Sequence, residues 1–191
     1  MSDFGSIVAA ATSVVALAEI GDKTQLLAVV LAARFRAPVP IILGILAATL
    51  ANHALAAWAG SALSGLFDGP VFASIVALGF IAMAGWTLVP DTIDETATPM
   101  SGRGAFVATA IAFFIAEIGD KTQVATVALG AQYHDVLAVT IGTTLGMMLA
   151  NVPAVLLGEK VLTLVPLRTV RIAAAALFAG LGLWMLWGVW A

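Results

Sequence analysis

No cysteine occurs anywhere in the chain, so neither a disulfide nor a thiolate metal site can form. Charge is nearly as scarce. Asp, Glu, Lys and Arg make up 10% of the 191 residues, whereas a soluble domain carries about 25%. A surface that meets water on every side is thereby excluded. The net charge of −3 offers no basic field for nucleic acid. No phosphate-binding loop and no nucleophile–base arrangement can be found, so the residues point to no enzyme and to no prosthetic group. Met1-Ser2-Asp3-Phe4 lacks a basic n-region, and the apolar stretch behind it is too long for a cleaved signal, so the first segment is expected to stay in the membrane.

What the chain does contain is hydrophobic residues, at 62% of the total, in runs long enough to cross a bilayer. Six spans are predicted, at roughly 5–34, 39–63, 71–90, 104–133, 136–158 and 168–190. The longest connection, 91–103, carries Asp91, Asp94, Glu95, Pro99 and Arg103 and reads as a solvated cytoplasmic linker. It divides the chain into halves 1–90 and 104–191.

Those halves are repeats. A shift of 98 residues lays Ala18-Glu19-Ile20-Gly21-Asp22-Lys23-Thr24-Gln25 on Ala116-Glu117-Ile118-Gly119-Asp120-Lys121-Thr122-Gln123 without a mismatch. The same shift matches Gly44 with Gly142, Gly60 with Gly158, Phe80 with Phe178 and Trp86 with Trp184. Asn52 meets Asn151 only after a one-residue slip, which leaves His53 opposite Val152. Three spans per repeat is an odd number, so the second copy must enter the bilayer upside down. The expected fold is an all-α integral membrane protein whose six transmembrane helices form two inverted-topology three-helix repeats. Outside the motifs the basic residues are Arg34, Arg36, Arg103, Lys160, Arg168 and Arg171, all in or beside the first, third and fifth loops. By the positive-inside rule those loops face the cytoplasm and both termini face out. The tryptophans mostly lie near span ends, as interfacial anchors do.

The chemistry resides in the duplicated motif. An acid at a helix centre costs about 2.5–3.5 kcal/mol, so four isolated ones would cost roughly 10 kcal/mol. Glu19 and Asp22 are three residues apart and share a helix face, with Gln25 one further step along, and Glu117, Asp120 and Gln123 repeat the pattern. Inverted symmetry brings the two stripes face to face near the midplane. Glu19, Asp22, Glu117 and Asp120 would then cluster, with Thr24, Thr122, Gln25 and Gln123 as neutral oxygen donors. Hard divalent cations such as Ca²⁺ and Mn²⁺ take such ligands. Protons compete for the same oxygens, so antiport is the natural coupling. Gly21 and Gly119 allow close helix approach or a local break. Lys23 and Lys121 have two readings: partial neutralisation of a carboxylate, or an intrahelical pair with the glutamate four residues before or snorkelling to a water-filled vestibule. Asn52 and Asn151 read as interhelical hydrogen-bonding residues or as gating groups, and His53 as a packed polar residue. Pro153 is expected to kink the fifth span. Met147 and Met148 read as packing residues, although a thioether beside the site would favour a softer ion.

At this motif the chain resembles the family of membrane cation transporters with two Glu-x-Gly-Asp-[Lys/Arg]-[Thr/Ser] signatures, found in Golgi, chloroplast and bacterial membranes. Both copies match in full, Glu19 to Thr24 and Glu117 to Thr122, and the likeness covers essentially the whole chain. The resemblance implies a Ca²⁺/Mn²⁺:H⁺ antiporter with Glu19, Asp22, Glu117 and Asp120 as cation ligands. The short linker lacks the extensions of organellar members and implies a bacterial plasma membrane. Lipid, divalent cations and protons are the expected partners, with the metal as cargo. Rocking of the repeats would alternate access. Two other functions fit the composition: export of a small cationic organic solute, and a membrane scaffold that transports nothing.

Overall fold

The structure is a computed structural model that describes residues 3–66, 69–89, 104–158 and 167–190. The acidic linker, Arg103 and Lys160 lie outside the described residues.

The chain begins with α1 (Phe4–Glu19), whose N-cap Asp3 accepts the Ser6 N–H at 2.7 Å through Oδ1. Helix α1 stops at Ile20, and α2 (Lys23–Phe35) starts on a new axis bent by 70°. The turn between them places Gly21 at φ 79°, which a residue without Cβ adopts at little cost. At the far end of α2, Arg36 takes the left-handed conformation and returns its N–H to Ala32 at 3.0 Å. Pro38 then opens α3 (Pro38–Leu66), and Pro70 opens α4 (Pro70–Thr87), both at positions where a missing N–H costs nothing.

The second half repeats this order. Helix α5 (Ala105–Glu117) breaks at Ile118, Gly119 sits at φ 76°, and α6 (Lys121–Tyr133) follows. Helix α7 (Val136–Leu157) is capped by Asp135, which accepts the Ala138 N–H at 2.9 Å, and α7 stays helical through Pro153. The last helix, α8, covers Leu167–Trp190. Among the described residues four helices, α3, α4, α7 and α8, are long and apolar enough to cross a membrane, and the bent pair α1–α2 makes a fifth candidate. Helix α5 is apolar but only 13 residues long.

Packing exchanges partners between the halves. Helix α1 lies along α7, α3 along both α5 and α6, and α4 along α8. Missing side chains make this closeness possible: a Cβ on Gly60 would stand 2.0 Å from the Val127 carbonyl oxygen, and one on Gly130 would stand 2.4 Å from that of Ala57. On the other seam, Gly146 of α7 sits against Thr12 and Ala16 of α1. Hydrogen bonds cross between helices as well, among them Thr12 Oγ1 to the Gly142 carbonyl at 3.0 Å and Asn52 Nδ2 to the Phe114 carbonyl at 3.1 Å. The outer faces of α4 and α8 carry large exposed apolar residues such as Val71 and Trp187, while Glu19, Asp22, Glu117, Asp120 and Lys121 are buried. Polar inside and apolar outside is the distribution that lipid requires.

Candidate cation site at the broken helices

Each break frees backbone groups that lipid cannot solvate, and the motif supplies their partners. Gln25 Oε1 accepts the Gly21 N–H at 2.8 Å, and Gln123 Oε1 accepts the Gly119 N–H at the same distance. Gln25 also donates from Nε2 to the Ala150 carbonyl at 3.0 Å, which bolts the first break to α7. The two glutamines therefore turn their carbonyl oxygens to backbone, and the acids fill the space between. Glu19 and Glu117 are the last residues of α1 and α5; Asp22 and Asp120 are the N-caps of α2 and α6. Four helix ends thus converge, and the N-terminal ends of α2 and α6 favour negative charge beside them.

One carboxylate oxygen from each of Glu19, Glu117 and Asp120 can be chosen so that all three lie within 4.8 Å of one another, and all three residues are buried. That is the separation expected of ligands around one ion. Glu19 is held on both sides: Thr24 donates to Oε2 at 2.5 Å, and Thr122, from the other motif, donates to Oε1. Neither oxygen of Glu117 has a hydrogen-bond partner, nor does Oδ2 of Asp120. Buried carboxylate oxygens without partners are costly, and a cation would satisfy them. Asp22 stands apart from the triad, its Oδ1 held 2.6 Å from Lys121 Nζ. Lys23 Nζ reaches across in the opposite sense, to Asp120 Oδ1 at 3.0 Å. Both lysines therefore pair with the aspartate of the other motif, a partner that the reading of a partly neutralised carboxylate left unnamed.

The structure also places His53, Asn151, Met147 and Arg171. The contact of Gly44 with Phe106 and Thr109 recurs, 98 positions on, as the contact of Gly142 with Val8 and Ala11 (106 − 8 = 98). In that register the partner of Asn151 is His53, not Asn52. Both are fully buried, and both keep polar atoms without a hydrogen bond: the two ring nitrogens of His53 and Oδ1 of Asn151. The unslipped 98-residue shift was the signal that would have paired them. Met147 is also fully buried, its Sδ receiving the Asn151 amide at 2.9 Å, while Met148 is only part-buried. Arg171, whose place near a span end suggested a topology signal alone, extends to within 3.5 Å of the Gly21 carbonyl oxygen.

Interrupted helices whose ends meet at a buried acid cluster resemble the discontinuous helices by which membrane carriers hold ions. Comparison with known proteins agrees. A model of the divalent cation/proton antiporter GDT1 family matches residues 7–95 and 105–191. The chain belongs to that family. A curated protein of Vibrio cholerae serotype O1, named "Putative manganese exporter", is 53% identical over 174 residues, covering 91% of this chain and 86% of the relative. No solved structure matches the chain at a significant level. As a GDT1 family member it is a multi-pass membrane transporter of divalent cations and protons, not an enzyme.

Proposed function

We propose that this chain exports Mn²⁺ from a bacterial cytoplasm in exchange for entering protons, with Glu19, Glu117 and Asp120 as the carboxylate ligands. The observation that carries the reading is the convergence of those three buried carboxylates within 4.8 Å. A hard oxygen set suits Mn²⁺ and also Ca²⁺, and the name of the Vibrio relative favours Mn²⁺. Asp22 belongs to the same cluster as a charge partner, Thr24 and Thr122 hold Glu19 in place, and Gln25 and Gln123 brace the breaks. Exchange follows because the cation and protons compete for the same oxygens, so the carrier turns over loaded with one or the other.

In this reading α1–α2 and α5–α6 are each one interrupted span, which gives six spans as two inverted repeats, 1–90 and 104–191, joined by a cytoplasmic linker. Matching contacts 98 residues apart support it, as does the stacking of Phe80 on Phe178, equivalent positions whose ring centroids lie 6.2 Å apart. The basic loops then face the cytoplasm of a plasma membrane, and both termini face out. Family membership favours this function over a solute exporter or a scaffold.

The test is flux. Reconstituted vesicles under an imposed pH gradient should accumulate Mn²⁺ with proton movement in the opposite direction, and Glu19→Gln should abolish both. Mn²⁺ movement that leaves the proton gradient untouched would overturn the exchange. Flux of Ca²⁺ and Mg²⁺ in the same vesicles ranks the cations.

A further inference from the structure

The crossed ion pairs are alike in connectivity and unlike in setting. Lys121 and Asp22 are sealed away, with side chains 4% and 0% exposed, and their atoms are 2.6 Å apart. Lys23 and Asp120 are 3.0 Å apart, and the Lys23 side chain keeps 32% of its surface open. The two aspartates differ in the same way. Asp120 lends an oxygen to the triad that can hold a cation, and Asp22 does not. The carboxylate a cation must use is thus the one already occupied by the more exposed lysine.

Charge makes the overlap consequential. Four carboxylates and two ammonium groups leave two negative charges when all are ionised, the complement of one divalent cation. An ammonium and a divalent cation on the same carboxylate repel each other strongly in a site shielded from water. Lysine has a flexible four-carbon stem and a point charge that needs no fixed geometry, and Lys23 already has open space beside it. Lys121 has no such room.

We propose that Lys23 is a tethered competitor for the transported cation: its ammonium leaves Asp120 when the cation binds and returns to help expel it, while Lys121 stays on Asp22 as a fixed counter-charge. The inference rests on the reading of Glu19, Glu117 and Asp120 as the cation site. It assigns Lys23 a positioning role in release and makes affinity a compromise: a site without this lysine binds more tightly and lets go more slowly.

The direction of the effect separates this role from a structural one. In purified full-length protein, Lys23→Gln should bind Mn²⁺ about ten-fold more tightly by calorimetry, and in vesicles KM and kcat for Mn²⁺ should fall together. Lys23→Arg keeps the charge and should bind close to wild type. A lysine that merely glues helices would give weaker or unchanged binding in Lys23→Gln, and that result overturns the proposal. A second measurement needs no variant. Mn²⁺ should raise the rate at which an amine-acylating reagent labels Lys23 in the wild type, read by mass spectrometry, and leave Lys121 unlabelled. Unchanged or slower labelling of Lys23 overturns the proposal even if Lys23→Gln does not fold. Glu117→Gln is the control for the site itself. If that variant binds Mn²⁺ as wild type does, the site reading fails and the proposal with it. If it loses binding while Lys23→Gln binds no tighter, only the role of Lys23 is lost.

Discussion

The same eight residues occur twice in this chain, and the two copies have different surroundings. In the first, Glu19 is clamped by two threonine hydroxyls, Gly21 is buried, and Asp22 is sealed against Lys121. In the second, the Glu117 carboxylate has no hydrogen-bond partner, Gly119 is exposed, and Asp120 meets the part-exposed Lys23. Identical sequence supplies identical groups, but the helices packed around each break decide which carboxylates are satisfied and which remain available to an ion. The first copy is the anchored wall of the candidate site; the second presents its unsatisfied face.

The sharpest way to break that contrast is to remove one acid from each side. Glu117→Gln and Glu19→Gln should each cost more in Mn²⁺ affinity than the roughly 10–100-fold typical of an outer partner of a metal. Glu117→Gln should leave thermal stability near wild type, since it deletes an unpartnered charge. Glu19→Gln should lower stability, because it weakens the bonds from Thr24 and Thr122. Equal stability losses in melting curves would erase the proposed difference between wall and face. Next in size, Thr122→Val removes a hydroxyl that reaches Glu19 from the opposite motif and should weaken Mn²⁺ binding by about 10-fold, within the range for outer partners. The same calorimetric titration checks it.

The glycines give a smaller and cleaner comparison. At φ 76° with no atom near a new Cβ, Gly119→Ala should cost only the left-handed strain of about 1–2 kcal/mol. Gly21→Ala carries the same strain at a buried position and should cost more. Chemical denaturation in micelles would measure both. The smallest effect belongs to the two helix starts. Helix α1 has the Asp3 cap, whereas α5 begins at Gly104 with no side-chain cap. The Ser6 backbone N–H, and then its hydroxyl, hold the Asp3 carboxyl below the usual carboxylate range. A depressed folded value means that the cap stabilises above the unfolded value and is lost as pH falls through the folded one. Protection factors of amides in the first turn of α1, corrected for the intrinsic pH dependence of exchange, should therefore fall in acid and in Asp3→Ala, and those at the start of α5 should change in neither case.

Much of the candidate site, though not the separation of Asp22 from the other three acids, could be read before the fold was known, because four acids in a lipid-facing sequence are expensive wherever they sit and tolerable only together. The glycines marked the breaks for a similar reason, since few other residues can turn a helix there. What stayed hidden depended on direction. Helical spacing put Gln25 and Gln123 on the acidic stripe, but once the helix breaks, the nearest unsatisfied group is the glycine N–H, and each amide turns to it. One reading of the lysines ran along their own helix and the other named no particular carboxylate, while the actual partners lie in the other motif, a distance that spacing cannot report. His53 was misaligned because two asparagines invited a one-residue slip that the packing of Gly44 and Gly142 does not make.

The seams closed by Gly60, Gly130, Gly142 and Gly146 bring backbone against backbone, and they join helices that belong to different sequence halves. A motion that carried residues 1–90 past 104–191 as one block would tear every one of them. The groupings that can slide without that damage are mixed: α3 travels with α5 and α6, and α7 travels with α1 and α2. In the proposed two-repeat reading the border in sequence falls at the linker, and the packing draws its own border elsewhere.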